Sequence, residues 1–307
     1  MAKSGRTSSR GGPSRPPPSR AKPARPAPSR PAPRRSWTWW PWAAGGLVIA
    51  VVVVIVAVAV TSGGSKATAT TPAPADVVQA TTNVPPDKLA AVGVGASGIQ
   101  PPKATTGNQP ALVSNGKPEV LYIGAEYCPF CAAERWPMVV ALSRFGTFSN
   151  LGATESATSD QFPGTKTFSF YRSTYSSPYL VFTPVEEQSN QRSGNSYTTL
   201  QKPTADQQKL FQQFDTPPYS QSSGGIPFVD FGNRSIVSGA SYSPQVLQGQ
   251  SMAAIAGSLV DPSNPIAQNV NGTANILTAA ICQLTNNQPA QVCSSPTITA
   301  AKGKLGG

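Results

Sequence analysis

An α/β fold is predicted for the C-terminal part of this 307-residue chain, and three observations predict it. Short apolar runs alternate with segments of helical periodicity. Their order reads strand, helix, strands, helix, hairpin, helix, which favours a sheet covered by helices. A strand–turn–strand unit with a Gly-Asn turn lies late in the chain, and it closes the pattern.

The elements follow in order. Residues 62–109 are rich in Thr, Ala, Pro and Gly and read as a flexible stalk, with a short helix over 86–92, so the ordered domain is expected from about residue 110. Glu119–Gly124 is a compact apolar run and reads as a strand. Cys131 to Phe145 places Trp136, Val139, Val140, Leu142 and Phe145 on one face of a helix. Phe168–Tyr171 and Tyr179–Phe182 read as strands. Thr204 is a candidate cap for a helix over 204–214. Pro227–Phe231 and Ser235–Val237 form a hairpin across Gly232-Asn233. Pro244–Leu259 and Ala274–Leu284 read as helices joined by a Pro/Asn-rich connection.

Charge is segregated. Ten of the 24 Lys and Arg residues fall in residues 1–36, which hold no acidic residue; the remaining 14 nearly match the 13 acidic residues of the chain. The net charge of +11 thus belongs to a Pro-, Ser- and Arg-rich tail, and no folded nucleic-acid-binding surface is expected. Such a tail buries too little to offset chain entropy and reads as disordered.

Ala43 to Val60 is uncharged and spans about 27 Å as a helix, close to the apolar thickness of a bilayer. Trp37, Trp39, Trp40 and Trp42 stand at its N-terminal edge as an aromatic belt. Residues 37–61 are therefore expected to span the cell membrane once and to be held by the bilayer through 43–60. The N-terminus is expected in the cytoplasm and residues 110–307 outside it. The competing reading is a cleaved signal peptide ending near Ala57-Val58-Ala59. Both readings export the C-terminal domain to a compartment where disulfides persist.

The chemistry-bearing motif is Tyr127-Cys128-Pro129-Phe130-Cys131, between the first strand and the first long helix. A helix N-terminus offers free N–H groups and a positive dipole end, which stabilise a thiolate. Cys128, at the helix start, is the candidate nucleophile, and Cys131, one turn on, the candidate resolving thiol. Glu126 and Glu134 flank them as candidate proton acceptors, or as negative charges that raise a thiol pKa, or as plain surface charge. Arg135 reads as a surface residue.

Four cysteines allow three pairings, and the simplest joins Cys128 to Cys131 and Cys282 to Cys293. The second pair reads as a structural disulfide worth about 3 kcal/mol; a relay pair and a four-cysteine zinc site are the alternatives. The chain has no histidine, so histidine-based nucleophilic, acid–base and metal chemistry is excluded. Ala132 excludes a C-x-x-C-H haem attachment, and no phosphate-binding loop is present. No cofactor and no metal are expected.

About 100 residues after the cysteines comes Gly224-Gly225-Ile226-Pro227-Phe228. With it, residues of about 117–260 resemble the thioredoxin superfamily. The resemblance implies a thioredoxin-like central sheet flanked by helices, with an insertion over 150–215 and a C-terminal helical extension. It also implies a cis Ile226–Pro227 bond facing the cysteines, with Ile226, Pro227 and Tyr127 lining the groove for a substrate chain. Pro137 inside the helix is similar to that superfamily, and Pro-Phe between the cysteines is closer to the Pro-Tyr of glutaredoxins than to the Gly-Pro of thioredoxin. The run YIGAEYCPFCAAERWPMVVALSRFG is similar to an uncharacterised family of membrane-anchored thioredoxin-like proteins of actinobacteria and archaea. The function expected is thiol–disulfide exchange on cysteines of exported proteins, recharged by a membrane redox partner. The alternative is a binding or structural module with a permanent Cys128–Cys131 bond.

Overall fold

The structure, a computed structural model, describes residues 67–220 and 223–305. The expected basic tail and membrane span lie outside those residues. Within them no helix is long and apolar enough to cross a membrane.

In chain order the first elements are β1 (Thr71–Pro72), α1 (Ala75–Thr82), α2 (Pro86–Val92), β2 (Lys103–Ala104), β3 (Val113–Ser114), β4 (Lys117–Gly124) and α3 (Pro129–Leu142). The middle holds β5 (Thr147–Ser149), β6 (Gly152–Glu155), β7 (Lys166–Ser169), β8 (Thr174–Ser176), β9 (Val181–Glu186), β10 (Gln188–Ser193), β11 (Ser196–Thr199) and α4 (Ala205–Phe214). The chain closes with β12 (Phe228–Phe231), β13 (Ser235–Ser238), a 3₁₀ turn at Pro244–Leu247, α5 (Met252–Ser258), α6 (Pro265–Leu284), α7 (Ala290–Cys293) and α8 (Pro296–Lys302).

The fold is mixed α/β. A six-stranded sheet runs β2-β13-β12-β4-β3, with β9 also on β4. β9 lies parallel to β4, pairing Glu119 with Val181 through Gly124 with Glu186. β12 lies antiparallel on the other side, pairing Phe228 with Ile123. Alternate side chains of β4 enter different cores. Val120 and Tyr122 pack with α3 and α6, whereas Leu121 and Ile123 pack with Phe214 and Phe228. Burial on both faces is why the strand reads as a continuous apolar run.

Three smaller sheets stand beside the central one: β1-β6-β7, β5-β8 and β10-β11. The segment expected as a strand at 168–171 is β7, and it pairs with β6 in a satellite sheet rather than in the central one.

Several expectations change. The stalk is, from Ala67 onward, part of the folded body: α1 buries Val77 and Thr81, and α2 buries Leu89 and Val92. Small residues around these few apolar positions gave the segment a linker-like composition. The single helix expected over 244–259 is broken, because Gln248 is extended and Gly249 has φ 74°. The last long helix starts nine residues earlier than expected. Asn264 accepts the Ile266 N–H and Pro265 occupies the first helical position, where its missing N–H costs nothing. The residues that suggested a connection are its start signal.

Cys282 and Cys293 form a disulfide that ties the end of α6 to α7. In the first half of that helix, Gly272 meets the loop after α2. A Cβ on Gly272 would lie 2.4 Å from the Gly95 Cα. Helix propensity alone favours Ala over Gly by about 1 kcal/mol. Gly272→Ala is nonetheless expected to lower the melting temperature, since two backbones must separate to admit the methyl group. A raised melting temperature would show that this crossing is not tight.

Candidate functional site

The site is built at the carboxyl end of β4. The chain leaves Gly124, turns through Ala125–Tyr127, and enters α3 with Cys128 as the N-cap residue. Pro129 occupies the first position of the helix. The Cys128 sulfur accepts the backbone N–H of Cys131 at 3.3 Å, the bond a capping side chain makes to the third helical residue. The same sulfur lies 3.6 Å from the Ile226 carbonyl oxygen, to which its thiol can donate. The Ile226–Pro227 peptide is cis. Residues 98 positions apart in sequence thus meet at one sulfur.

Both cysteines are free thiols; Cys128 is 5% exposed and Cys131 fully buried. The Cys128 thiol is held below its usual pKa. The largest cause is a hydrogen bond donated by the Cys131 thiol, and the Cys131 N–H and the Arg135 guanidinium add to it against desolvation. Burial pushes the Cys131 thiol well up. The pair therefore divides into one acidic and one resistant thiol.

The loop around Cys128 is fastened from several sides. Glu126 N–H donates to the Gln188 carbonyl at 2.8 Å, and Ala157 N–H donates to the Tyr127 carbonyl at 2.8 Å. Asp215 holds the Ile226 side: its carboxylate accepts the N–H groups of Gly224 and Gly225 and, at 3.3 Å, the Ser238 hydroxyl. Pro137 removes one N–H from α3, leaving the Ala133 carbonyl without its helical partner. The Tyr242 hydroxyl fills that place at 2.8 Å.

Beneath the cysteines lies a buried ion pair. Arg135, reached from Cys131 by one helical turn, directs Nε and Nη2 to Glu186 at the end of β9, at 2.8 and 2.6 Å. Neither side chain is exposed. The Phe170 N–H also donates to Glu186, at 3.1 Å, and the guanidinium sits 5.8 Å over the Tyr122 ring. Arg135 is thus a core residue and not the surface residue expected. Its spacing carried a signal, since it is four residues after Cys131 and so on the same helix face. Glu186 carried none beyond ending an apolar run.

The two glutamates also lie inside, which corrects the surface-charge reading. The Glu126 carboxylate accepts the Ser169 hydroxyl at 2.5 Å and the Thr70 hydroxyl at 2.8 Å. Glu134 accepts the Ser241 N–H at 2.8 Å and its hydroxyl at 3.1 Å. Among the described residues neither bonds to a cysteine sulfur, so the site does not bring them to the thiols as it does Ile226. Burial raises Glu126, against those hydroxyls, and pushes Glu134 up to about 7.

Aromatic side chains from the long middle segment frame the motif. Tyr127 stacks on Tyr197 of β11 with centroids 4.3 Å apart, and the Arg192 guanidinium lies over the Tyr197 ring at 4.4 Å. Phe130 meets Phe162 edge-on at 5.8 Å. No feature of the sequence marked Tyr197 or Phe162. The N-terminal strap adds to this side: Asn190 donates to the Thr68 carbonyl at 2.7 Å and Gln191 to the Ala67 carbonyl at 2.9 Å. Among the described residues no cluster of three or more Cys, Asp or Glu is arranged to hold a metal ion. With Cys282 and Cys293 joined, only two thiols remain, short of a four-ligand zinc site.

Two expectations follow. Breaking a buried pair leaves an uncompensated charge, so Arg135→Met alone should cost about 3–5 kcal/mol in denaturant unfolding, with Glu186→Gln restoring part of it. Additive losses in the double variant would show that the two charges are not coupled. The second concerns pH. The Glu134 carboxyl, near 7 in the fold and roughly 4.3 when unfolded, binds its proton more tightly in the native state. Its contribution is complete below the unfolded value and is lost as pH rises toward 7. Glu134→Gln should therefore narrow the stability gap between about pH 5 and about pH 8; an unchanged gap would mean that Glu134 titrates normally.

No curated protein and no solved structure matches the chain. A family described only as Domain of unknown function (DUF929) matches residues 104–283, more than half of the chain and a span that contains Cys128, Cys131, Arg135, Glu186 and Ile226. The chain belongs to this family of unknown function.

Proposed function

We propose that the domain is a thiol–disulfide oxidoreductase of thioredoxin-like architecture, with Cys128 as nucleophile and Cys131 as resolving thiol. The observation that carries this reading is the capped Cys128 sulfur facing the Ile226 carbonyl, one residue before a cis proline. The arrangement around it supports the same architecture: a strand leading to the motif, a parallel neighbour, and an antiparallel hairpin directly after Pro227.

In the reductive direction the Cys128 thiolate attacks one sulfur of a partner disulfide. That S–S bond breaks, a Cys128–partner bond forms, and the partner's other sulfur leaves as a thiolate and takes a proton. Cys131 then loses its proton and attacks the Cys128 sulfur. The partner departs as a dithiol, and Cys128–Cys131 becomes the disulfide, so two electrons have passed to the partner. Run backwards, the same steps oxidise a partner dithiol. Raised acidity at Cys128 speeds the first attack, and burial keeps Cys131 protonated until the mixed disulfide forms.

The Ile226 carbonyl, Pro227 and the Tyr127–Tyr197 stack would seat the partner chain beside Cys128. Partners in this reading are cysteine-bearing exported proteins, with a membrane redox protein to recharge the pair. The setting is the outer side of a cell membrane crossed by residues 37–61. No cofactor takes part.

The test is the reduction potential of Cys128–Cys131 in the full chain, combined with two variants. A potential between about −120 and −270 mV is expected. Cys128→Ser should abolish exchange with a small disulfide, and Cys131→Ser should accumulate a mixed disulfide at Cys128. A potential below about −300 mV, with no exchange by the parent chain, would leave only the permanent-bond reading.

A further inference from the structure

Two arginines of α3 and its carboxyl end, the buried Arg135 and the half-buried Arg144, are treated differently. Arg135 receives a bidentate carboxylate. Arg144, just past the carboxyl end of α3, receives none among the described residues. Its Nη1 donates to Asn275 Oδ1 at 3.2 Å and to Thr278 Oγ1 at 3.3 Å, both neutral and both on fully buried side chains of α6. Asn275 is itself held, because its amide donates to the Leu89 carbonyl at 2.8 Å and the Gly93 carbonyl at 2.7 Å. Its oxygen is thereby left pointing at the guanidinium. Burial without a counter-charge pulls Arg144 down to about 10. The carbonyl end of α3 offsets part of that cost. The guanidinium's Nε and Nη2 have no hydrogen-bond partner among the described residues.

Arg144 lines a cavity of about 680 Å³ between α2 and the α7–α8 segment, walled also by Val84, Asp87, Leu89, Asn275, Val292 and Pro296. The volume falls within the range of about 300–1,000 Å³ found for small-molecule sites. The lining is mixed and carries two charged groups, the Arg144 guanidinium and Asp87, whose largely exposed carboxylate lies 3.9 Å from Lys88 Nζ. The disulfide fixes one wall, since Cys293 directly follows Val292. We propose that this cavity binds a small monocarboxylate with an apolar body, its carboxylate on the open side of the Arg144 guanidinium and its body along Val84, Leu89 and Val292. A guanidinium presents paired donors that match a carboxylate, and a site dry on the other side strengthens that bond. The cavity and the cysteine motif lie at opposite ends of α3, about 21 Å apart along its 14 residues. The proposal therefore stands apart from the exchange reading.

The test uses the full chain and three probes of one shape: 3-phenylpropanoate, 3-phenylpropanol and 3-phenylpropylammonium, titrated by calorimetry and by ligand-observed NMR. The carboxylate should bind saturably and at least tenfold more tightly than the alcohol, with the ammonium weakest. Arg144→Gln should lose that preference. Ala90→Trp, on an exposed residue of the cavity wall, should block all three probes with the circular dichroism spectrum unchanged. Cys128→Ser should bind as the parent does. Failure of the carboxylate to saturate, equal binding of the three probes, or full binding by Ala90→Trp would overturn the proposal.

Discussion

A fully buried guanidinium and a fully buried carboxylate meet edge to edge between α3 and β9, and the placement of the cysteine motif depends on that contact. Arg135 and Glu186 come from elements 51 residues apart, and each would be severely penalised alone. Bidentate geometry fixes both the distance and the rotation of α3 against the sheet. Cys128 and Cys131 sit on the first turn of that helix, so their position relative to β4 and β9 is set along with it. Glu186 is further held by the Phe170 N–H, and its own N–H donates to the Gln201 side chain. The pair is thus anchored on the strand side as well as on the helix side.

Backbone groups that lack ordinary partners are matched one by one near the site. The proline in α3 leaves a carbonyl that Tyr242 satisfies, and the paired glycines before Ile226 give their N–H groups to Asp215. The first joins the helix to a residue 109 positions away, and the second ties the Pro227 loop to the end of α4. Together they bring two loops that carry no regular structure to one sulfur. Unpaired buried backbone groups are costly enough that such partners act as positional constraints and not only as fillers.

The central features were legible where a single period or motif dominated. The run Glu119–Gly124 is apolar at every core position because both its faces are covered, and the motif after it marks a strand-to-helix turn. The hairpin was legible because Gly232 and Asn233 both adopt positive φ, which few other residues tolerate. Less legible were residues whose role depends on tertiary contact. Arg135, Glu126 and Glu134 are charged and by composition belong on a surface; only their partners bring them inside. Tyr197 and Phe162 lie in polar stretches, and their meaning comes from the rings they touch. The α1–α2 segment failed for the opposite reason, since four or five apolar residues among many small ones suffice when a large helix supplies the other half of the core.

The strap at residues 67–72 joins the body beside the cysteine loop: its Thr70 hydroxyl ends on Glu126, two residues before Cys128, and β1 pairs with β6. The first described residues and the Cys128 loop therefore meet at one patch. Tension drawn through the N-terminal side would enter the domain there first, through a two-residue ladder and a few side-chain bonds, before reaching the central sheet. In mechanical terms this seam runs alongside the cysteine loop, and a graft that replaces the strap would alter the surroundings of Cys128.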